Sequence, residues 1–277
     1  MAQTKADFIK VPVAEGSYQT MPVEPEKRIA DSDITLKYCD IDDAEFIAKS
    51  LYICFPEDFW MRKEPPEYRP AEQATRVRRL AERHRPALSH PGMHWLKAVS
   101  VSTGEIMGVA AWVEPGVPIH YFLRRTAVDF FGWKEKMGWT DEQLVELWSG
   151  TGPKWEAEFT TSDVERAEIM GDEPHWYLAS IFTLPQYQGK GVGKKLMNWA
   201  IEQADATDPV TPMFLESRPS ARPVYMHCGF VPQRQYNLLR RGPAVVRGLE
   251  AEGQDSDKNE VKKAPKEVVE KEVEASN

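Results

Sequence analysis

The residues best placed for chemistry are Gln188-Gly189-Lys190-Gly191-Val192-Gly193-Lys194, between an apolar run, WYLASIFTL at 176–184, and an amphipathic helical pattern. A strand, a glycine loop and a helix in this order can hold a phosphate. Glycines let the backbone approach an anion closely, and the first helical amides point unpaired N–H groups at it. The positive end of the helix dipole adds to the attraction. Lys190, Lys194 and Lys195 supply mobile positive charge nearby. In the helix, Val192, Leu196, Trp199, Ala200 and Gln203 recur on one face, widened by Met197, Ile201 and Ala204.

Two better-known glycine patterns fail here. A nucleotide-hydrolase loop, G-x-x-x-x-G-K-[ST], would need glycine at 188 and Ser or Thr at 195, where Gln188 and Lys195 stand. The dinucleotide fingerprint G-x-G-x-x-G would need glycine at 194 or 196, where Lys194 and Leu196 stand. The pattern Q/R-x-x-G-x-G/A fits, as Gln188, Gly191 and Gly193.

Other reactive side chains carry weaker signals. His90 and His94 are separated by Pro91-Gly92, which breaks any shared helical face, and no metal site is expected. Cys228 is read as a small packing residue rather than a nucleophile, since neighbouring His227 should point elsewhere. The arginines at 76, 78, 79, 83 and 85 read as a solvated helix face.

The elements that must position the glycine loop follow from periodicity. Ile34, Leu36 and Tyr38 alternate as a first strand. Asp40 with Asp43 forms a capping-box signal before a helix carrying Ala44, Ile47, Ala48, Leu51 and Phe55, ended by Pro56. A second helix is expected from about Ala71 to Arg85. HWLKAVSV (94–101) and IMGVAAWV (106–113), joined by a Thr103-Gly104 turn, read as a hairpin. Residues 115–174 read as an insertion of short helices between strands, its tryptophans divided between an acceptor pocket and a satellite core. After the loop helix come a strand at PMFLES (212–217), a short helix in SARPVYMHCG ending at Gly229, and one or two closing strands. The order predicts an α/β domain over 33–249, with a flexible arm at 1–32 and a charged, disordered tail at 250–277.

Composition narrows the field further. The 277 residues carry a net charge of −8 with 42% hydrophobic content, ordinary for a globular chain and unsuited to broad nucleic-acid binding. The three cysteines form no framework or zinc spacing, and no signal peptide or membrane-spanning run is visible. A cytoplasmic location, with the nucleus also open, and no membrane partner are therefore expected.

The loop resembles the acyl-CoA pyrophosphate site of the GNAT superfamily of N-acetyltransferases. The later ARPVYMHCGF resembles that family's A-x-x-x-Y-x-x-x-G-F segment, with Tyr225, Gly229 and Phe230 in register. The resemblance is specific over 176–231 and topological from about 33 to 175. It implies a mixed, mostly antiparallel central sheet with a splayed parallel strand pair, flanked by helices. It also implies acetyl-CoA as co-substrate, with no metal. The strand backbone at Ile181, Phe182 and Thr183 would hold the pantetheine arm. Gln188, Gly189, Lys190, Gly191, Val192, Gly193 and Lys194 would hold the pyrophosphate.

The implied reaction is direct attack of an amine on the thioester in a ternary complex. The Ile181 amide would face the developing oxyanion, and Tyr225 would protonate the departing thiolate. Where some relatives carry a glutamate on the splayed strand, this chain has Tyr177, which is no base near neutral pH. His175, Glu173, Glu216 or a water chain ending at a carboxylate stay open for that role. The expected acceptor is the primary amine of a small molecule. Transfer to protein N-termini or lysines and a non-catalytic acyl-CoA-binding module are the alternatives, the latter supported by the missing strand carboxylate.

Overall fold

The computed structural model describes residues 10–12, 18–20, 27–218 and 221–242. The expected tail at 250–277 and most of the arm at 1–32 lie outside them. Strands β1 (Lys10–Pro12) and β2 (Tyr18–Thr20) make a small antiparallel ribbon. Then come β3 (Ile34–Tyr38), α1 (Ala44–Cys54), α2 (Glu57–Lys63), α3 (Gln73–Leu88) and the hairpin β4 (Met93–Ser100) and β5 (Ile106–Val113). Four helices follow: α4 (Ala127–Phe130), α5 (Trp133–Met137), α6 (Asp141–Trp148) and α7 (Lys154–Met170). The chain closes with β6 (Trp176–Thr183), α8 (Val192–Asp205), β7 (Met213–Glu216), α9 (Arg222–Met226), β8 (Val231–Pro232) and β9 (Asn237–Arg240).

Seven strands form one sheet in the order β3-β4-β5-β6-β7-β9-β8, and every neighbouring pair is antiparallel except β6 with β7. The expected mixed sheet, with its parallel pair and flanking helices, is therefore present. The predicted Asp40 and Asp43 capping box forms on a single tight turn just before α1. Helix α2, which the periodicity missed, starts directly after Pro56.

The parallel pairing is short. Trp176 to Leu178 pair with Met213 to Leu215, and beyond that the strands part. β6 runs on to Thr183 against β5 alone, while Glu216 of β7 pairs only with Asn237 of β9. Between the partners of Ala111 and Trp112 on β6, namely Ser180 and Leu178, Ala179 is an extra residue that bends the strand. On the other edge β5 lies very close to β6: a Cβ on Gly108 would come within 2.7 Å of the Phe182 carbonyl oxygen.

Strand alternation divides the core in two. Met107, Ala110, Trp112, Trp176, Leu178 and Leu215 face α8 and α9, whereas Val109, Ala111, Val113, Tyr177 and Phe214 face α1, α3 and the inserted helices. Residues 115–174 are no satellite. Trp133, Trp148, Trp155, Phe122 and Leu144 belong to the same buried cluster as α1 and α3. The indole N–H groups of Trp148 and Trp155 both donate to the Leu123 carbonyl, at 3.1 and 3.0 Å, so their burial leaves no polar atom stranded.

The arginine-rich face of α3 departs from expectation. Arg76 and Arg83 turn inward, donating to Glu64 at 3.0 and 3.2 Å, and Glu64 also accepts from the Tyr52 hydroxyl at 2.9 Å. Arg78 and Arg79 both pair with Glu146 of α6. A buried carboxylate demands compensating charge, which sequence periodicity does not register.

Because Trp155 is 1% exposed and seated in this core, Trp155→Ala should cost about 3–5 kcal/mol of folding stability. Urea titration of both proteins measures it, and a loss under about 1 kcal/mol would mean the inserted helices pack only peripherally.

Candidate active site

The glycine loop sits where the sequence placed it, at the mouth of α8. Gly191 caps the helix with a left-handed backbone (φ 91°), as does Gly189 before it (φ 70°), conformations that a side chain disfavours. Space is open beside both, since a Cβ at either would meet nothing within 4 Å. The first amides of α8 have no carbonyl inside the helix to bond and point into that space. Val192 is buried under the helix, Lys194 is exposed, and Gly193 packs beside Thr183. The loop is braced from two sides. Gln188 Nε2 donates to the Thr183 carbonyl at 3.0 Å, and the Ile29 amide donates to the Lys190 carbonyl at 3.1 Å. Open space, left-handed glycines, helix amides and lysines together fit a diphosphate.

The backbone of β6 shows which groups face the gap left by β7. The Leu184 amide donates to the Met107 carbonyl of β5 at 2.9 Å, so it points toward β5. The Thr183 carbonyl points the other way, toward Gln188 and the Cys54 thiol. Strand backbones alternate with a period of two. The N–H groups of Thr183 and Ile181 therefore point away from β5, to the side from which β7 has departed. Phe182 is buried as a side chain, leaving only its backbone for a ligand.

Tyr225 projects from α9 into the cluster beneath α8, edge-on to Phe230 at 6.3 Å between centroids. Burial raises its pKa above the ordinary tyrosine range, so the hydroxyl holds its proton throughout neutral pH.

Of the residues left open as a base, the structure separates three. Glu173 turns outward into a bidentate pair with Arg241, at 2.8 and 2.6 Å. His175 lies before β6, at the far end of the parallel pair, with Nδ1 2.7 Å from the Glu173 carbonyl. Glu216 lies where β6 and β7 part, on the face lined by Tyr177 and Phe214. The Tyr177 hydroxyl donates to Glu216 Oε2 at 2.8 Å, while Oε1 is shut off from solvent and has no protein partner. Burial pushes the Glu216 pKa up to about 7, although the Tyr177 hydrogen bond and nearby Arg166 pull against it. The residue that replaces the expected strand carboxylate thus holds another carboxylate supplied by the adjacent strand. Glu216 ends β7, and only the side-chain contact with Tyr177 of the neighbouring strand marks it as special.

Arg166 of α7 connects this spot to the inserted helices. Its guanidinium lies 5.2 Å from the Tyr177 ring centre and donates to Asp163 at 2.9 Å, and Asp163 also accepts from Arg124 at 2.5 Å. Among the described residues no helix is long and apolar enough to cross a membrane.

The raised pKa has a thermodynamic consequence whose sign is fixed. Between the ordinary value of 4.5 and about 7, the folded chain keeps a proton on Glu216 that the unfolded chain has lost. Stability should therefore fall as pH rises through that window and level off above it. Urea midpoints against pH should show this slope in the wild type and lack it in Glu216→Gln; parallel curves would contradict the assignment.

Residues 141–230 match the Acetyltransferase (GNAT) family. No curated protein matches the chain in sequence. Among solved structures, one described as histone acetyltransferase HPA2 and related acetyltransferase from Corynebacterium glutamicum is 20% identical, aligned over 76% of this chain and 97% of its own, with a TM-score of 0.46. An N-acetyltransferase from Staphylococcus aureus Mu50 is 13% identical over 74% of this chain and 99% of its own, with a TM-score of 0.46. The PaiA N-acetyltransferase of Thermoplasma acidophilum, solved with coenzyme A, is 12% identical over 76% of this chain and 99% of its own, with a TM-score of 0.40. The segment that resembles the acetyltransferase (GNAT) family holds the glycine loop, Glu216, Tyr225 and the parting strand pair.

Proposed function

We propose that this protein transfers an acetyl group from acetyl-CoA to the primary amine of a small molecule, by direct attack in a ternary complex with Glu216 as general base. One observation carries the reading: an unpartnered, solvent-shielded carboxylate oxygen with a pKa near neutrality stands where the strands part. A base with a pKa near the working pH combines a useful deprotonated fraction with proton affinity.

The two faces of the sheet divide the work. The glycine loop, α8 and Tyr225 occupy one face, and Glu216, Tyr177 and α7 the other. Acetyl-CoA bound on the first face supplies an activated acyl carbon and a sulfur leaving group. Amides around Gly191 and Gly193 hold its diphosphate, and backbone groups of Ile181 and Thr183 hold its arm through the gap. Glu216 takes a proton from the incoming ammonium, leaving a free amine whose nitrogen bonds to the acyl carbon. The Ile181 amide stabilises the negative charge that develops on the acyl oxygen, a role worth about 3 kcal/mol for one donor. As the carbon–sulfur bond breaks, its electron pair leaves with sulfur, Tyr225 donates a proton there, and the surplus proton on the acylated nitrogen passes through solvent to the tyrosinate, leaving a neutral amide and the CoA thiol. The inserted helices narrow the acceptor side, favouring a small amine over a protein chain.

Glu216→Gln should lower kcat about 100-fold or more and remove the rise of kcat/KM with pH centred near 7. Steady-state rates of CoA release between pH 6 and 9 read both, and an unaltered pH profile would remove Glu216 from the mechanism. Gly191→Glu should abolish acetyl-CoA binding by calorimetry, because a side chain strains the cap and brings a like charge to the diphosphate. Undiminished affinity would place the phosphate site elsewhere.

A further inference from the structure

Resting on that reading, we infer that the acceptor is a zwitterion of the α-amino-acid class with an aromatic or large apolar side chain, its amine at Glu216 and its carboxylate at Arg218. Two unmet groups of opposite sign belong to residues two apart at the end of β7. Glu216 Oε1 lacks a donor, and Arg218 Nη2 is buried without an acceptor. The Ser217 amide donates to the Tyr236 carbonyl at 2.7 Å, so the chain stays extended past Glu216. Side chains two apart in extended chain project to the same side, with α-carbons roughly 7 Å apart. A molecule with an amine and a carboxylate on one carbon can satisfy both orphans.

The surrounding charges are otherwise matched. Lys63, a buried cation near Arg218, already pairs with Glu158, and Arg166, which acts on Glu216, pairs with Asp163. Arg218 keeps only a distant contact, 3.7 Å from Asp58, through its other terminal nitrogen. The free donor is thus a planar guanidinium edge, suited to a carboxylate.

Aromatic rings close the remaining wall. The Arg218 guanidinium lies 5.3 Å from the Phe59 ring centre, and the Lys63 ammonium lies 5.8 Å from Phe59 and 4.3 Å from Phe159. Phe159 stacks on Tyr121 at 3.9 Å, and the Glu216 charge acts on the Tyr121 hydroxyl. Phe59, the Lys63 ammonium, Phe159 and Tyr121 thus follow one another from Arg218 toward Glu216, and their rings can desolvate an apolar side chain.

The test compares L-phenylalanine with phenethylamine, which differ only by the carboxylate, using full-length protein and acetyl-CoA. The expected kcat/KM ratio favours phenylalanine by about 10–100-fold, the range of one charge-assisted hydrogen-bonding partner. Arg218→Met should collapse that ratio toward unity through a higher KM for phenylalanine, and Arg218→Lys, which keeps the charge without the planar fork, should restore part of it. A wild-type ratio at or below one, or equal losses for both amines in Arg218→Met, would overturn the inference. Binding of acetyl-CoA with turnover of other amines but neither of these would overturn it while leaving the acetyltransferase reading intact. No binding of acetyl-CoA at all would instead defeat that underlying reading.

Discussion

Two parallel strands that hydrogen-bond for three residues and then diverge govern the rest of this structure. A strand in mid-sheet normally spends its N–H and C=O groups on neighbours to both sides. Past Leu178, β6 keeps β5 on one side and has no strand on the other. Such groups are costly to bury unpaired, so the gap favours a polar, extended ligand that can stand in for a missing strand. The extra residue Ala179 accompanies the divergence, and Gly108 keeps β5 and β6 close enough to stay paired beyond it.

The two faces of the sheet beside the gap offer different environments. Beneath α8 lie a helix N-terminus, lysines and open space beside the glycine loop. Beneath α7 lie aromatic rings and a carboxyl whose ionisation is suppressed by burial. Tyr177 belongs to the second environment. Its hydroxyl orients Glu216 while its ring lies under Arg166, and Arg166 is held in turn by Asp163 and the Ile119 carbonyl. A half-satisfied buried carboxyl is a destabilising element in an otherwise well-packed protein. Its position where β6 and β7 part is a physical sign of chemistry there.

The inserted helices explain how such a site is supported. Trp148 and Trp155 share one carbonyl, and Arg124 binds Glu156, Thr160 and Asp163 of α7. These contacts lock α7 over the Tyr177 and Glu216 face as part of the main core. The same helices therefore belong to the main core and also bear on the environment of Glu216 through Arg166.

Much was legible in the residues alone because it is local. The glycine loop, the alternation of β4, β5 and β6, the Asp40 cap and the stripe on α8 are each written within a few neighbouring positions. Side-chain pairing across distance is not. Arg83 reads as a surface charge until Glu64, nineteen positions earlier, is placed beside it. Glu216 reads as the end of a strand until the Tyr177 hydroxyl, 39 residues away in sequence, is placed beside it. The sequence by itself determined where a phosphate could be held and in what order the strands are laid down, since backbone conformation and amphipathic period are short-range. Tertiary structure alone decided which carboxylate stands in the gap and that it is buried, because ionisation depends on the neighbours and dielectric that folding assembles from remote segments.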